Sequence, residues 1–257
     1  MLVVISPAKS LDFTTPATVE GATQPALLEQ SQQLVELLRK LAPHELAALM
    51  GISDKLAILN YDRYRQWRRP FTRDNAKPAL LAFTGDVYTG LNARSFNGSD
   101  RHFAQRHLRI LSGLYGVLRP LDLIQPYRLE MGTRLQNPRG GNLYQFWGET
   151  ITAALNRQLA AIGSSQLINL ASNEYFKSVD TRMLTAAVIT PVFKDWKSDR
   201  YKIISFFAKK ARGLMSAYIV NNRLTEAQQL KDFAMAGYRY HESLSNVYQW
   251  VFCRRES

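Results

Sequence analysis

Cysteine is almost missing from this chain: among 257 residues only Cys253 carries a thiol, so no internal disulfide framework can form. Histidine is scarce as well. With only His44, His102, His107 and His241 beside that thiol, no Cys/His zinc cluster can be assembled, and His102 and His107, five residues apart, fall on different helix faces. No apolar run approaches the roughly 20 residues of a membrane-spanning helix. No strand-like segment is followed by GxGxxG or a P-loop, which removes the common dinucleotide and nucleotide fingerprints. Acid is in short supply: 21 Asp and Glu stand against 33 Lys and Arg, a formal net charge of +12. The opening MLVVISPAKS has no basic segment before its apolar run, and Lys9 interrupts it, so it reads as a first strand and not as a secretory signal. These absences predict a cytoplasmic protein with a reduced thiol, no membrane partner, no bound metal and no cofactor.

The composition that remains is that of a folded domain. Apolar residues make up 46% and charged residues 21% of the chain, which argues against disorder. A chain of this length buries about 70 to 75% of the surface it exposes when unfolded, so it folds without a disulfide or metal staple. LVVIS at 2–6 reads as a buried strand, and apolar spacing over 27–41 as a helix. Pro43 and Gly51 bound a second helix, and Ser53 caps a third that runs to Trp67. PALLAF at 78–83 reads as a buried strand, Ser99 as the cap of a helix reaching Leu111, and 112–148 as a long irregular surface. Helix is expected again over 149–162 and 208–222, and strands over 167–171, 188–193, 201–207 and in VYQWVF near the end. Alternating strands and helices without a dividing linker or an internal repeat predict one mixed α/β unit spanning 1–257.

The charge is clustered. Residues 61–73 carry five arginines against Asp62, residues 101–139 seven arginines against Asp122 and Glu130, and residues 194–223 eight Lys or Arg against Asp195 and Asp199. Arginine forks suit phosphate, so the pattern points to a polyanion, whereas charge runs taken singly are usually a solvated face. Tyr61, Tyr64 and Trp67 recur among the first arginines at a spacing that favours core packing over base stacking.

Two segments carry the candidate site. Ser112 and Gly113 to Gly116 form a Gly-containing turn that would leave backbone N–H groups free for a phosphate oxygen in a helix-hairpin-helix, flanked by Arg109, Arg119 and Arg128. An ordinary helix end at Gly113 is the competing reading, and the two glycines stand three apart where the usual hairpin has them two apart. In SFFAKKARGLMSAYIV, 205–220, Lys209, Lys210 and Arg212 bring positive charge to a helix start, and Lys209, Arg212 and Ser216 share a stripe. Lys9, just past the first strand, is a further cation and a conceivable nucleophile with Asp86 or Glu130 as its acid or base. A carboxylate beside arginines is more often a structural ion pair.

The chain also resembles a known family, that of the peroxide stress resistance protein YaaA. The resemblance rests on ISPAKSLDF at 5–13, ISDKLA at 52–57, FTGDVYTGL at 83–91, LRILSGLYGVLRPLDLIQPYRLEMG at 108–132, LYQFWG at 143–148, INLASNEYFKSV at 168–179 and KIISFFAKKARGLMS at 202–216. The tail after about Gly237 looks less like the pattern. The resemblance implies a compact mixed α/β protein with a basic cleft and a helix-hairpin-helix. It further implies binding of double-stranded or structured DNA, protection against hydrogen peroxide and lowered available iron, and it assigns no particular catalytic activity. On charge, Lys9, Arg109, Arg119, Lys209, Lys210 and Arg212 are expected to gather in one cleft, with the protein a monomer. The alternative is an enzyme acting on damaged nucleic acid or a phosphorylated metabolite through Lys9 and Asp86 or Glu130.

Overall fold

The structure, a computed structural model, describes residues 1–17 and 19–255. Strand β1 (Leu2–Ile5) is buried on both faces, as four consecutive β-branched or leucine residues allow. The two-residue β2 (Ser10–Leu11) follows, then helices α1 (Leu28–Leu38), α2 (Pro43–Met50) and α3 (Asp54–Gln66). Helix α2 keeps its expected bounds because Pro43 fits the first turn and Gly51 closes the last with a positive φ of 59°. At the end of α3 two aromatics turn inward: Tyr64 and the C-cap Trp67 are buried, Tyr61 is half-buried, and the Trp67 Nε1–H donates to the Tyr115 hydroxyl at 3.1 Å.

The next stretch departs from the sequence reading. PALLAF is not a strand but the pair β3 (Lys77–Pro78) and β4 (Phe83–Thr84) around a one-turn helix, α4 (Ala79–Ala82). A short run buried all round has no periodicity to separate strand from helix. After α5 (Asp86–Leu91), α6 (Gly98–His107) begins at Asn97, two residues before the expected cap. Asn97 and Asp100 exchange side-chain-to-backbone hydrogen bonds of 2.9 and 3.1 Å, a reciprocal capping box that Ser99 could not make.

The largest correction follows. Residues expected to finish that helix form β5 (Leu108–Ser112), which turns through 113–115 into β6 (Gly116–Leu118). The two strands pair antiparallel, so the segment is a β-hairpin and not a helix-hairpin-helix. Beyond it lie β7 (Leu123–Ile124), α7 (Leu143–Trp147), α8 (Thr150–Ala161), β8 (Gln166–Leu170) and the one-turn α9 (Asn173–Phe176). Burial alternates along β9 (Ala187–Lys197), and β10 (Arg200–Lys202) folds back on it. Helix α10 (Ser205–Asn221) then starts where a strand to Phe207 was expected, and β11 (Arg239–Tyr240) and β12 (Gln249–Arg254) end the chain.

The main sheet has the order β11-β12-β9-β8-β1-β5-β6, with β10 on β9. Its five central strands are parallel and its edges antiparallel, giving the mixed α/β architecture that the alternation predicts. From β1 the chain first builds outward to β5 and β6, then crosses back to β8 and builds the other way. That reversal leaves a crevice at the carboxyl ends of β1 and β8, the position at which open α/β sheets take ligands.

Candidate functional site

The crevice is filled by the loops that those two strands release. Ser6 to Ser10 leave β1, Ser172 follows β8, and together with the start of α5 and the second turn of α10 they line a cavity of about 410 Å³. The backbones hold one another: the Ser172 N–H donates to Ser6 Oγ at 2.9 Å, and the Tyr88 hydroxyl on α5 donates to the Ser6 carbonyl at 3.1 Å. Helices α5 and α10 cross with their backbones in contact. A Cβ on Gly213 would lie 1.9 Å from the Val87 carbonyl oxygen, and one on Gly90 would lie 2.2 Å from that of Lys210. Only glycine at both positions lets α10 carry Lys209 and Arg212 to the wall beside Asp86.

The lining is of mixed sign. Lys9 Nζ lies 2.8 Å from Glu130 Oε2, and Arg128 reaches the other oxygen of the same carboxylate at 3.1 Å. The Arg128 Nε is buried without a partner among the described residues. Glu174, also on the wall, accepts the Gly132 N–H at 2.9 Å, and Asp86 completes three carboxylates. Lys9 is 64% exposed and Glu130 24%, so that pair spans the mouth and the wall. Arg212 is half-buried, and among the described residues its guanidinium meets no acid and no acceptor. Burial alone draws its pKa down, the mark of a desolvated cation without a counter-charge. Tyr88 and Tyr175 stand below, and burial pushes both phenols well above their ordinary range.

The expected site residues separate into two groups. Lys9, Lys209 and Arg212 come together in the cavity, Arg128 touches its wall through Glu130, and Lys210 is exposed beside Lys209 on α10. Ser216, expected on the same stripe, is buried and donates back to the Arg212 carbonyl. The residues of the supposed phosphate turn lie inside the protein. Ser112 is fully buried against the Tyr127 hydroxyl at 2.7 Å. A Cβ on Gly113 would come within 2.2 Å of the Leu129 carbonyl, and one on Gly116 within 2.8 Å of the Trp147 ring. Those glycines permit core packing, so their amides face no solvent. Arg109 is buried as well, donating to the Gln105 and Leu108 carbonyls at 2.9 and 2.7 Å, and desolvation draws its pKa down to about 10. Arg119 is held away from the cavity by Asp122 at 2.9 Å and by the Gln24 carbonyl. The six cations expected in one cleft therefore do not share one.

A second cavity, of about 520 Å³, lies where the first arginine cluster meets the loop after β2. Arg63, Arg68, Arg73 and Lys77 line it against Asp74. Two of these cations are structural: Arg73 donates to the Val19 carbonyl, and Lys77 is buried with its ammonium on the Asp12 and Thr15 carbonyls at 2.6 and 2.8 Å. No described helix is long and apolar enough to cross a membrane, and the described residues bring together no group of three His, Cys, Asp or Glu side chains able to hold a metal ion.

Fold and site together define a mixed α/β protein with a ligand-sized, cation-bearing crevice at the carboxyl ends of its central strands. By sequence the chain belongs to the family of peroxide stress protein YaaA, whose model matches residues 1–244. It is similar to proteins named UPF0246 from Colwellia psychrerythraea, 60% identical over 257 residues and covering the whole of both chains, and from Teredinibacter turnerae, 58% identical over 256 residues with equal coverage. A third, from Saccharophagus degradans, is 59% identical over 256 residues. The likeness extends through the C-terminal tail, which the motifs alone had left aside. Membership supports a role in peroxide stress.

Proposed function

We propose that this protein serves the peroxide stress response by binding duplex or structured DNA through its phosphates, with little preference for sequence, in association with lowered available iron. The observation that carries the reading is the exposed pair Lys209 and Lys210 on α10, which sets two cations free of the protein surface beside a cavity that Lys9 and Arg212 also line. Phosphate contacts position a protein without reading bases, so affinity should follow backbone geometry. A net charge of +12 adds long-range attraction for the same polyanion.

Fluorescence anisotropy with a labelled duplex between 50 and 200 mM salt tests this. Each neutralised phosphate contributes about 0.9 to the slope of log affinity against log salt, so the Lys209→Ala/Lys210→Ala protein should lose about 2 from that slope. An unchanged slope, or no binding by the wild type at the lowest salt, overturns the reading.

A second reading is favoured by one distance. Lys9 Nζ at 2.8 Å from Glu130, with Asp86 on the same wall, is a cation–carboxylate pair suited to proton transfer or nucleophilic attack on damaged nucleic acid or a phosphorylated metabolite. Separating the bound strands of the same samples on a denaturing gel distinguishes the two: strand conversion that disappears in Lys9→Ala while binding persists favours the enzyme.

A further inference from the structure

The lining of the 410 Å³ cavity does not match a bare polyanion. A nucleic-acid backbone running through it would bring successive phosphates against Asp86, Glu130 and Glu174, and like charges at that range repel. Lys9 is already paired with Glu130, so among the described residues the interior offers one uncompensated cation, Arg212, backed by the exposed Lys209 one turn earlier. The remaining polar groups are the three carboxylates and the hydroxyls of Ser6, Ser10, Thr84 and Ser172, and the carboxylates accept hydrogen bonds from hydroxyls and amines. The tyrosine rings of Tyr88 and Tyr175 supply flat apolar surface, and the volume falls within the range of small-ligand pockets.

From this arrangement we infer a binding site for a single phosphorylated nucleoside unit: its phosphate on Arg212 and Lys209, its ribose hydroxyls on the carboxylates of Glu130 and Glu174, and its base against Tyr88 and Tyr175. The unit has two possible sources, a free mononucleotide or one nucleotide presented by a nucleic-acid strand, and the recognition chemistry is the same for both. This site goes beyond the DNA-binding reading and does not require it, since phosphate contacts by Lys209 and Lys210 at the surface need no occupied cavity. A half-buried guanidinium without a partner carries a desolvation penalty that a bound phosphate would offset, and a planar fork is the side chain best shaped for the purpose.

Isothermal titration of the full-length protein with AMP, ribose 5-phosphate, adenosine and inorganic phosphate tests the assignment. AMP should bind at least tenfold more tightly than adenosine and more tightly than inorganic phosphate, with ribose 5-phosphate between them. Arg212→Gln should weaken AMP about tenfold to a hundredfold, the effect of removing a charge-assisted phosphate contact. Lys209→Ala, an exposed change with little risk to folding, should weaken it severalfold. Circular dichroism and thermal melting of Arg212→Gln establish that the variant is folded. Equal affinities for AMP and adenosine, or unchanged AMP affinity in both folded variants, overturn the site. Duplex binding measured on the same samples separates its failure from failure of the DNA reading. Competition by a DNA hairpin with one unpaired nucleotide identifies the source: displacement of AMP assigns the unit to a strand, and its absence assigns it to the free pool, the site standing in either case.

Discussion

Two arginines of this chain show how far burial and partnership decide what a residue does. Arg109 sits on a central strand with its guanidinium committed to the Gln105 and Leu108 carbonyls, whereas Arg212 is half-buried with no such commitment among the described residues. In the sequence both are arginines among apolar neighbours. Arg109→Ala should therefore lower stability, by about 2–4 kcal/mol, because the buried Leu108 carbonyl and the partly buried Gln105 carbonyl lose a charge-assisted donor. It should leave the salt slope of DNA binding unaltered once the folded fraction is matched. Urea denaturation and anisotropy on one preparation check both halves. Two of the three aromatics of the first arginine cluster were legible at this scale, since helical spacing favours the core and Tyr64 and Trp67 are there, while Tyr61 stays half-buried with its hydroxyl on Arg65.

Among the elements, the crossing of α5 on α10 determines the shape of the cavity. The contact is backbone to backbone through Gly90 and Gly213, so a methyl group at either position must separate the helices. Gly213→Ala should destabilise the protein by about 1–3 kcal/mol and weaken any ligand held between Arg212 on α10 and Tyr88 on α5, because the two walls move apart. Thermal melting with AMP titration reads both effects. Helix bounds with their own punctuation were legible: Pro43 and Gly51 mark α2 through local backbone chemistry. The glycines of the crossing were not, because a glycine within a helix reads as a weakness until the partner helix is known. The 108–118 hairpin was missed for a related reason. LRILS is compatible with helix or strand, and its strand identity comes from pairing with β1, more than 100 residues earlier in the chain.

For the molecule as a whole, charge and protonation set the conditions of folding. His107 is held against Phe103 with its Nδ1–H donating to the Met1 carbonyl at 2.9 Å, and burial lowers its pKa below 6.5, outweighing that hydrogen bond. The unfolded chain then takes up the proton at a higher pH than the folded one, so stability should fall as pH drops through about 6.5. Urea midpoints at pH 7.5 and 5.5 should differ in that sense, and His107→Gln should reduce the difference; a midpoint that rises on acidification contradicts the assignment. The net charge of +12 acts at the same scale, drawing polyanions to the surface while three carboxylates screen the cavity itself.

The amino-acid sequence by itself settles that this is a mixed α/β chain with a basic surface, no disulfide framework and the motifs of the peroxide stress family. Hydrophobic period, capping residues and composition act locally or by summation and need no partner. Tertiary structure alone decides which cations are available. Buried carbonyls, Asp122 and the hairpin core claim Arg109, Arg119 and the 112–116 turn, and the reversal of strand order at β1 brings Lys9, Arg212 and Glu130 together from segments far apart in the chain. The physical reason is that a charged group's role depends on its desolvation and its counter-charges, and both are fixed by neighbours that only the fold supplies.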